Sequence, residues 1–269
     1  MQVMTLTTDQ IRFFHLNGFL AITESITDDA ELAWMREVYD RIFAERAGRE
    51  SGDQFDLGGT DEDGKTEALP QILNPAKYAP ELKDGTYLGV ATQIVRQLLG
   101  PDVSAGVAHA IFKPAAPVNG YPGAPTPWHQ DEAYWDPQWQ YKNVSIWMPL
   151  QEATLENGCL WFMPGSHEWD VQPHQSINGD ARIHGLEMLD TAFAKDAIAC
   201  PLPPGGITIH RNRTAHYAGP NTSEIPRRAL ILGAGLPNKP RLGAPRRFSW
   251  NEIKETPREA RAKAARKMG

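Results

Sequence analysis

The chain has 269 residues, enough for a substantial core, and a formal net charge of −6, which excludes the basic surface that non-specific affinity for nucleic acid or anionic lipid requires. Its 23 glycines and 22 prolines exceed their typical joint share of about 12% and predict many turns and short strands in place of long helices. Two cysteines, Cys159 and Cys200, are too few for a disulfide framework and lack the paired spacing of a zinc site, so buried, reduced thiols in a cytoplasmic protein are expected.

The N-terminus, MQVMTLTTDQIRFFHLNGFL, has no basic leader ahead of a continuous apolar run, and no stretch approaches the roughly 18 apolar residues of a membrane span. Within it Thr7 or Thr8 can cap a short amphipathic helix, with Asp9 in its first turn, Ile11, Phe14 and Leu16 apolar and Gly18 as its stop. Residues 28–46 carry Leu32, Met35, Val38, Tyr39, Ile42 and Phe43 at three- and four-residue spacing, which predicts a second, longer helix with a core-facing stripe. A polar segment from Gly48 to Lys65 reads as a loop, and TYLGVATQIVRQLLG as a third helix ending at Gly100. From Val103 onward, runs such as VAHAIF, VSIWMPL, CLWFMP, GITIH and RALILGAGL alternate with Gly, Pro and Asn clusters, the pattern of a sandwich or barrel. Asn157-Gly158 lies between two such runs and predicts a hairpin. The chain is expected to form one domain, with a largely helical part over 1–102, a β core over 103–238 and a basic tail over 239–269. The tail ends in EIKETPREARAKAARKMG and reads as a solvated surface helix without chemistry.

The segment PWHQDEAYW holds His129 and Asp131 two positions apart. On a strand, such residues share a face and can point at one ion, with Gln130 turned aside; a structural pair in a polar turn is the alternative. A third ligand decides between them. His15 falls in the first helix, and His174 and His184 lie in a polar linker, where surface or core roles are expected. His210 and His216 remain open as candidates. Two histidines and a carboxylate with free coordination positions form the ligand set of non-heme Fe(II) oxygenases. If the co-substrate is a dicarboxylate such as 2-oxoglutarate, its distant carboxylate needs a guanidinium. Arg227 follows His216 by eleven residues, room for a turn and a returning strand, and His210 by seventeen.

In order and spacing, Pro127-Trp128-His129-Gln130-Asp131, Asn157-Gly158-Cys159-Leu160, Met163-Pro164-Gly165-Ser166-His167, His216-Tyr217-Ala218-Gly219-Pro220-Asn221 and Arg227-Arg228-Ala229 resemble the phytanoyl-CoA dioxygenase family of Fe(II)/2-oxoglutarate oxygenases. The opening FHLNGFL resembles that family's N-terminus, and the likeness extends over most of residues 8–236. The resemblance implies a mainly β fold, a double-stranded β-helix or jelly roll with flanking α-helices that are mostly N-terminal. It implies Fe(II), 2-oxoglutarate and O2 as cofactor and co-substrates. His129, Asp131 and His216 would be the metal ligands, Arg227 would hold the far carboxylate of 2-oxoglutarate, and Gln130 and Trp147 would line its pocket. His167 would be structural, in a family turn. Where family members often carry a serine two residues after the distal histidine, this chain has Ala218, and Tyr217 or Thr126 are the available substitutes. Asp131 is retained, whereas halogenating relatives replace that carboxylate, so the implied reaction is hydroxylation of an unactivated C–H bond in a small metabolite or lipid-like molecule. Trp128, Tyr134, Trp135, Trp139 and Tyr141 could close a lid over it, and Arg182 and Arg213 could anchor an acidic group. The competing readings are a metal-binding jelly-roll sensor without turnover and a cupin-like metal enzyme that does not use 2-oxoglutarate. Neither the substrate nor the oligomeric state follows from the sequence.

Overall fold

The computed structural model describes residues 4–116, 124–252, 254 and 256–268; the readings of Met1–Val3 and of Ile253, Glu255 and Gly269 in the tail lie outside the described residues. Three helices form where capping and periodicity predict them. In α1 (Thr8–Asn17) the Thr7 hydroxyl accepts from the Gln10 amide at 3.2 Å, and the Gln10 side chain accepts from the Thr7 amide at 2.8 Å. Gly18, at φ 81°, ends the helix in the left-handed region. Asp28 caps α2 (Asp29–Ala44), and α3 spans Thr86–Leu99.

The strands are β1 (Phe19–Ile22), β2 (Gln54–Asp56), β3 (Pro70–Leu73), β4 (Gly106–Lys113), β5 (Thr126–His129), β6 (Trp139–Gln140), β7 (Asn143–Pro149) and β8 (Leu160–Phe162). They continue with β9 (His174–Ser176), β10 (Leu186–Met188), β11 (Ile198–Cys200), β12 (Ile207–Arg211), β13 (His216–Ala218), β14 (Arg227–Gly235) and β15 (Lys239–Pro240). A seven-stranded sheet runs β1-β12-β7-β14-β4-β3-β2 and a four-stranded sheet runs β11-β8-β13-β5, the two sheets of a jelly roll. Every pairing within them is antiparallel.

Strand alternation sorts the residues of the large sheet. Ile146, Met148, Leu230 and Leu232 face the helices and pack with Phe14, Met35, Ile42 and Ile94 in the main core. Trp147, Ala229 and Ile231 face the small sheet and pack with Phe162 and Leu160. Arg227 shares the inner parity, whereas Arg228 points outward and binds Asp40 at 2.6 and 2.8 Å. Fully burying a side chain such as Met35 contributes about 1.5–3 kcal/mol, so the helical layer chiefly braces the outer face of the sheet.

Three expectations are corrected. Asn157-Gly158 closes no hairpin: β7 lies in the large sheet and β8 in the small one, so the segment crosses between layers. Gly158 sits at φ +90°, where an added Cβ would meet the Gly219 carbonyl oxygen at 2.5 Å, so this glycine serves close approach of a neighbouring loop. The polar segment 48–65 contains β2, which joins the sheet edge through β3. The tail is also docked rather than solvated. Through α4 (Ser249–Glu252), Trp250 Nε1 and Asn251 Nδ2 both donate to the Ala133 carbonyl, at 3.0 and 2.8 Å. Through α5 (Pro257–Met268), Arg261 binds the buried Asp61 carboxylate and the Arg49 carbonyl. Among the described residues no helix is long and apolar enough to cross a membrane.

Candidate metal and co-substrate site

β5 delivers His129 and β13 delivers His216, direct partners across the ladder, with ring centroids 4.1 Å apart. Each Nδ1 faces the carbonyl two residues earlier, Pro127 at 2.8 Å and Thr214 at 2.9 Å. A carbonyl only accepts, so each Nδ1 carries the proton and each Nε2 presents its lone pair. Asp131 does not continue the strand; it opens a 3-10 turn over Asp131–Tyr134, which swings its carboxylate back toward the imidazoles. Its Oδ1 lies 3.6 Å from both Nε2 atoms, and one ligand atom from each of the three residues lies within 4.8 Å of the others. Oδ2 is occupied separately, accepting from the Ser145 hydroxyl at 2.9 Å and, at 3.5 Å, from the Asn212 amide.

The electrostatics suit a divalent cation. Burial works against ionisation of Asp131, but His216, His129 and His210, so far as they carry a proton, outweigh it and hold the carboxyl well below its usual range, a place that a bound cation takes when the imidazoles are neutral. Burial, followed by the proximity of His129 and His210, keeps the His216 imidazole far below its ordinary pKa and therefore neutral, as a ligand must be. His210 reaches the same wall, with Nε2 3.4 Å from Asp131 Oδ2, packed between Phe162 and His216. Neither of its ring nitrogens makes a hydrogen bond among the described residues, so it lacks the orienting carbonyl of the other two.

Arg227 is 1% exposed, lies over the Trp147 ring at 5.2 Å, and has no partner for Nε or Nη1 among the described residues. Desolvation lowers its pKa to about 10, which leaves it charged at neutral pH. A desolvated, unpaired guanidinium is costly unless an anion meets it, so the site fits a ligand carboxylate. Lys113, the partner of Arg227 across β4 and β14, is also fully buried and donates to the Ala124 carbonyl at 2.7 Å. Burial first, then Arg227, pushes the Lys113 pKa well below the usual lysine value.

His129, Asp131, His216, Arg227 and Trp147 border one cavity of about 1170 Å³. Gln130 does not. It is fully buried behind the strand, where it donates to the Arg213 carbonyl at 2.8 Å and accepts from the Gln172 amide at 2.7 Å, so the pocket-lining expectation is corrected to a brace for the 170–172 loop. Opposite Ala218 in the ladder stands Thr126, which borders the cavity; Tyr217, one residue out of phase, stacks on Trp128 at 5.5 Å. Of the aromatic lid, Tyr134 and Trp135 reach the cavity, Tyr141 packs on Trp135 at 4.7 Å, and Trp139 is 40% exposed. Neither arginine anchor is free: Arg182 pairs with Asp180 at 2.6 Å, and Arg213 grips Glu132 through two contacts of 2.8 Å. His167 packs beneath Gly18 and contacts the His15 carbonyl at 3.2 Å, a structural placement.

Several cavity residues escaped the sequence reading. Ser145 shares parity with Trp147 in VSIWMPL and was recoverable from period two. His184 and the tail residues Lys254 and Arg258 also border the cavity, and nothing local in the sequence marks them.

The family model for phytanoyl-CoA dioxygenase (PhyH) matches residues 14–229. The crystal structure of EvdO2 from Micromonospora carbonacea var. aurantiaca is 40% identical, covers 91% of this chain and 96% of that one, and superposes with a TM-score of 0.76. The same protein complexed with 2-oxoglutarate gives 36% identity over the same shares, with a TM-score of 0.75. Phytanoyl-CoA dioxygenase of Arabidopsis thaliana is 27% identical over 259 residues, covering 85% of this chain and 88% of that protein. A probable alpha-ketoglutarate-dependent hypophosphite dioxygenase of Stutzerimonas stutzeri is 29% identical over 171 residues, 62% of this chain but 57% of its own length.

Proposed function

The chain belongs to the phytanoyl-CoA dioxygenase family and is an Fe(II)/2-oxoglutarate-dependent oxygenase, and from that premise we propose that His129, Asp131 and His216 bind the iron and that Arg227 binds the distal carboxylate of 2-oxoglutarate. The observation that carries the assignment is the joint placement of two Nε2 lone pairs and one carboxylate oxygen in the same cavity as a buried, unpaired guanidinium. The reaction is hydroxylation of an unactivated C–H bond: substrate R–H, O2 and 2-oxoglutarate give R–OH, succinate and CO2. When bound, the iron and its keto acid supply the oxidising power for this step.

The chain's own residues supply position and dryness. The Pro127 and Thr214 carbonyls fix the tautomer and direction of the two imidazoles, and Ser145 and Asn212 restrain the outer oxygen of Asp131. Arg227 fixes the far end of the keto acid against the Trp147 ring, and Thr126 offers the hydroxyl absent at residue 218. Tyr134 and Trp135 shield the cavity from water. The substrate is a small molecule, and the two free, buried cysteines suit a reducing compartment such as the cytoplasm.

Without oxygen, Fe(II) plus 2-oxoglutarate should give the visible charge-transfer band of a chelated keto acid. His216→Ala abolishes that band and His210→Ala spares it; retention in the first variant and loss in the second would overturn the ligand assignment.

A further inference from the structure

The cavity has a second cationic end that the iron chemistry does not use. Lys254 is 9% exposed, donates to the His184 carbonyl at 2.8 Å, and lies 5.0 Å from the centre of the Tyr134 ring. Tyr134 is the shared neighbour of the two ends, since its ring centroid is 6.2 Å from that of His129. Arg258 lies over the Phe55 ring at 4.6 Å, and Phe55 in turn meets His184 edge-on at 5.0 Å. The buried Arg258 Nε has no hydrogen-bond partner among the described residues. Both side chains border the cavity, with Arg247 from the same segment. Glu259, Asp102 and Asp136 border it too, yet none forms an ion pair with Lys254 or Arg258 among the described residues.

We propose that this C-terminal segment builds an oxyanion subsite, in which Lys254 and Arg258 hold a carboxylate or phosphate group carried by the substrate while its reacting C–H bond lies at the metal. The proposal rests on the oxygenase reading for its second half and deepens it by naming a substrate class. Two largely buried cations that border one cavity repel each other and lose hydration, costs that an arriving oxyanion removes. Burial lowers the Lys254 pKa to about 8, and it depresses that of Arg258, which is the direction such an incomplete site should show. The segment is held in place to do this: Trp250 and Asn251 grip Ala133, in the turn that carries Asp131, and Arg261 locks onto Asp61. At Gly52, φ +73°, an added Cβ would meet the Arg258 carbonyl at 2.7 Å, so α5 docks closely enough to require a glycine beneath it.

The test is calorimetric titration of the Fe(II)/2-oxoglutarate-loaded enzyme, without oxygen and with saturating keto acid so that Arg227 is occupied, using phenyl phosphate, benzoate and benzyl alcohol. At least one acid should bind at least tenfold more tightly than the alcohol, and the better acid identifies phosphate or carboxylate as the group. Lys254→Met and Arg258→Gln should each erase that preference about tenfold while leaving the charge-transfer band in place, which also shows that the fold survives. Equal binding of acids and alcohol, or a preference kept in both variants, overturns the subsite. Loss of the band in both variants also overturns it, because the segment would then act on the metal centre. If the wild type itself shows no band, the oxygenase reading falls, while the acid-against-alcohol comparison, run without iron or keto acid in an Arg227→Met background with and without Lys254→Met or Arg258→Gln, still decides the subsite.

Discussion

The two ends of the cavity are built by different means. At the metal end, His129 and His216 sit on paired strands of one sheet and Arg227 on a central strand of the other, so the backbone ladder itself sets their separation. At the other end, Lys254 and Arg258 belong to a segment held by a few side-chain contacts to Ala133, His184, Asp61 and Arg49. Rigid strands give geometry that chemistry on oxygen requires, while a docked segment can be altered without disturbing it.

Four measurements break or sharpen that contrast. The largest effect is expected at the strand-built end. If Arg227 holds the distal carboxylate as proposed, Arg227→Met forfeits charge-assisted hydrogen bonds of about 1.5–3 kcal/mol and should raise the KM for 2-oxoglutarate roughly ten- to a hundredfold, with far less change in apparent iron affinity. At the docked end, Arg261→Ala should leave the charge-transfer band intact while trypsin cleaves α5 about tenfold faster or more, because local opening then costs less. A parallel loss of the band would erase the distinction. Ser145→Ala frees the outer oxygen of Asp131 and should weaken iron binding about tenfold in a metal titration, without loosening α5. The fourth measurement concerns pH. Burial holds folded Lys254 at about 8 against roughly 10.4 in an unfolded chain, so between those values the unfolded chain keeps a proton that the folded protein has released. Stability of the wild type relative to Lys254→Met should therefore rise from pH 8 to pH 10, by up to about 1.4 kcal/mol per unit, in paired denaturant titrations.

The same contrast explains what the sequence revealed. Helix caps such as Thr7 and Asp28, stripes such as Leu32-Met35-Ile42 and alternation in VSIWMPL are local signals, and the elements they mark are present. The ordered spacing of His129, Asp131, His216 and Arg227 was legible because the strands between them impose it, and those side chains share one cavity. Family likeness places Gln130 in the pocket, but strand alternation turns residue 130 away from its neighbours, and the alternation prevails. Asn157-Gly158 misled because a dipeptide reports a turn but not which sheet receives the strand after it. His184 and the tail were missed for a deeper reason: their environment comes from residues as remote as Phe55 and Tyr134, and no short window contains that information.

His129 and His216 face each other across an antiparallel ladder that already carries a bulge between His216 and Ala218. Adding or deleting one residue inside either strand would invert its facing pattern and send an imidazole to the outside. Within the stretch joining Asp131 to β13, strands β7, β8 and β12 keep the same restriction, but the loops between them do not, since their lengths do not enter the pairing. Substrate-selecting loops in this scaffold are therefore free to grow, shrink or be exchanged over evolutionary time, while the two short histidine strands can change in composition but not in count.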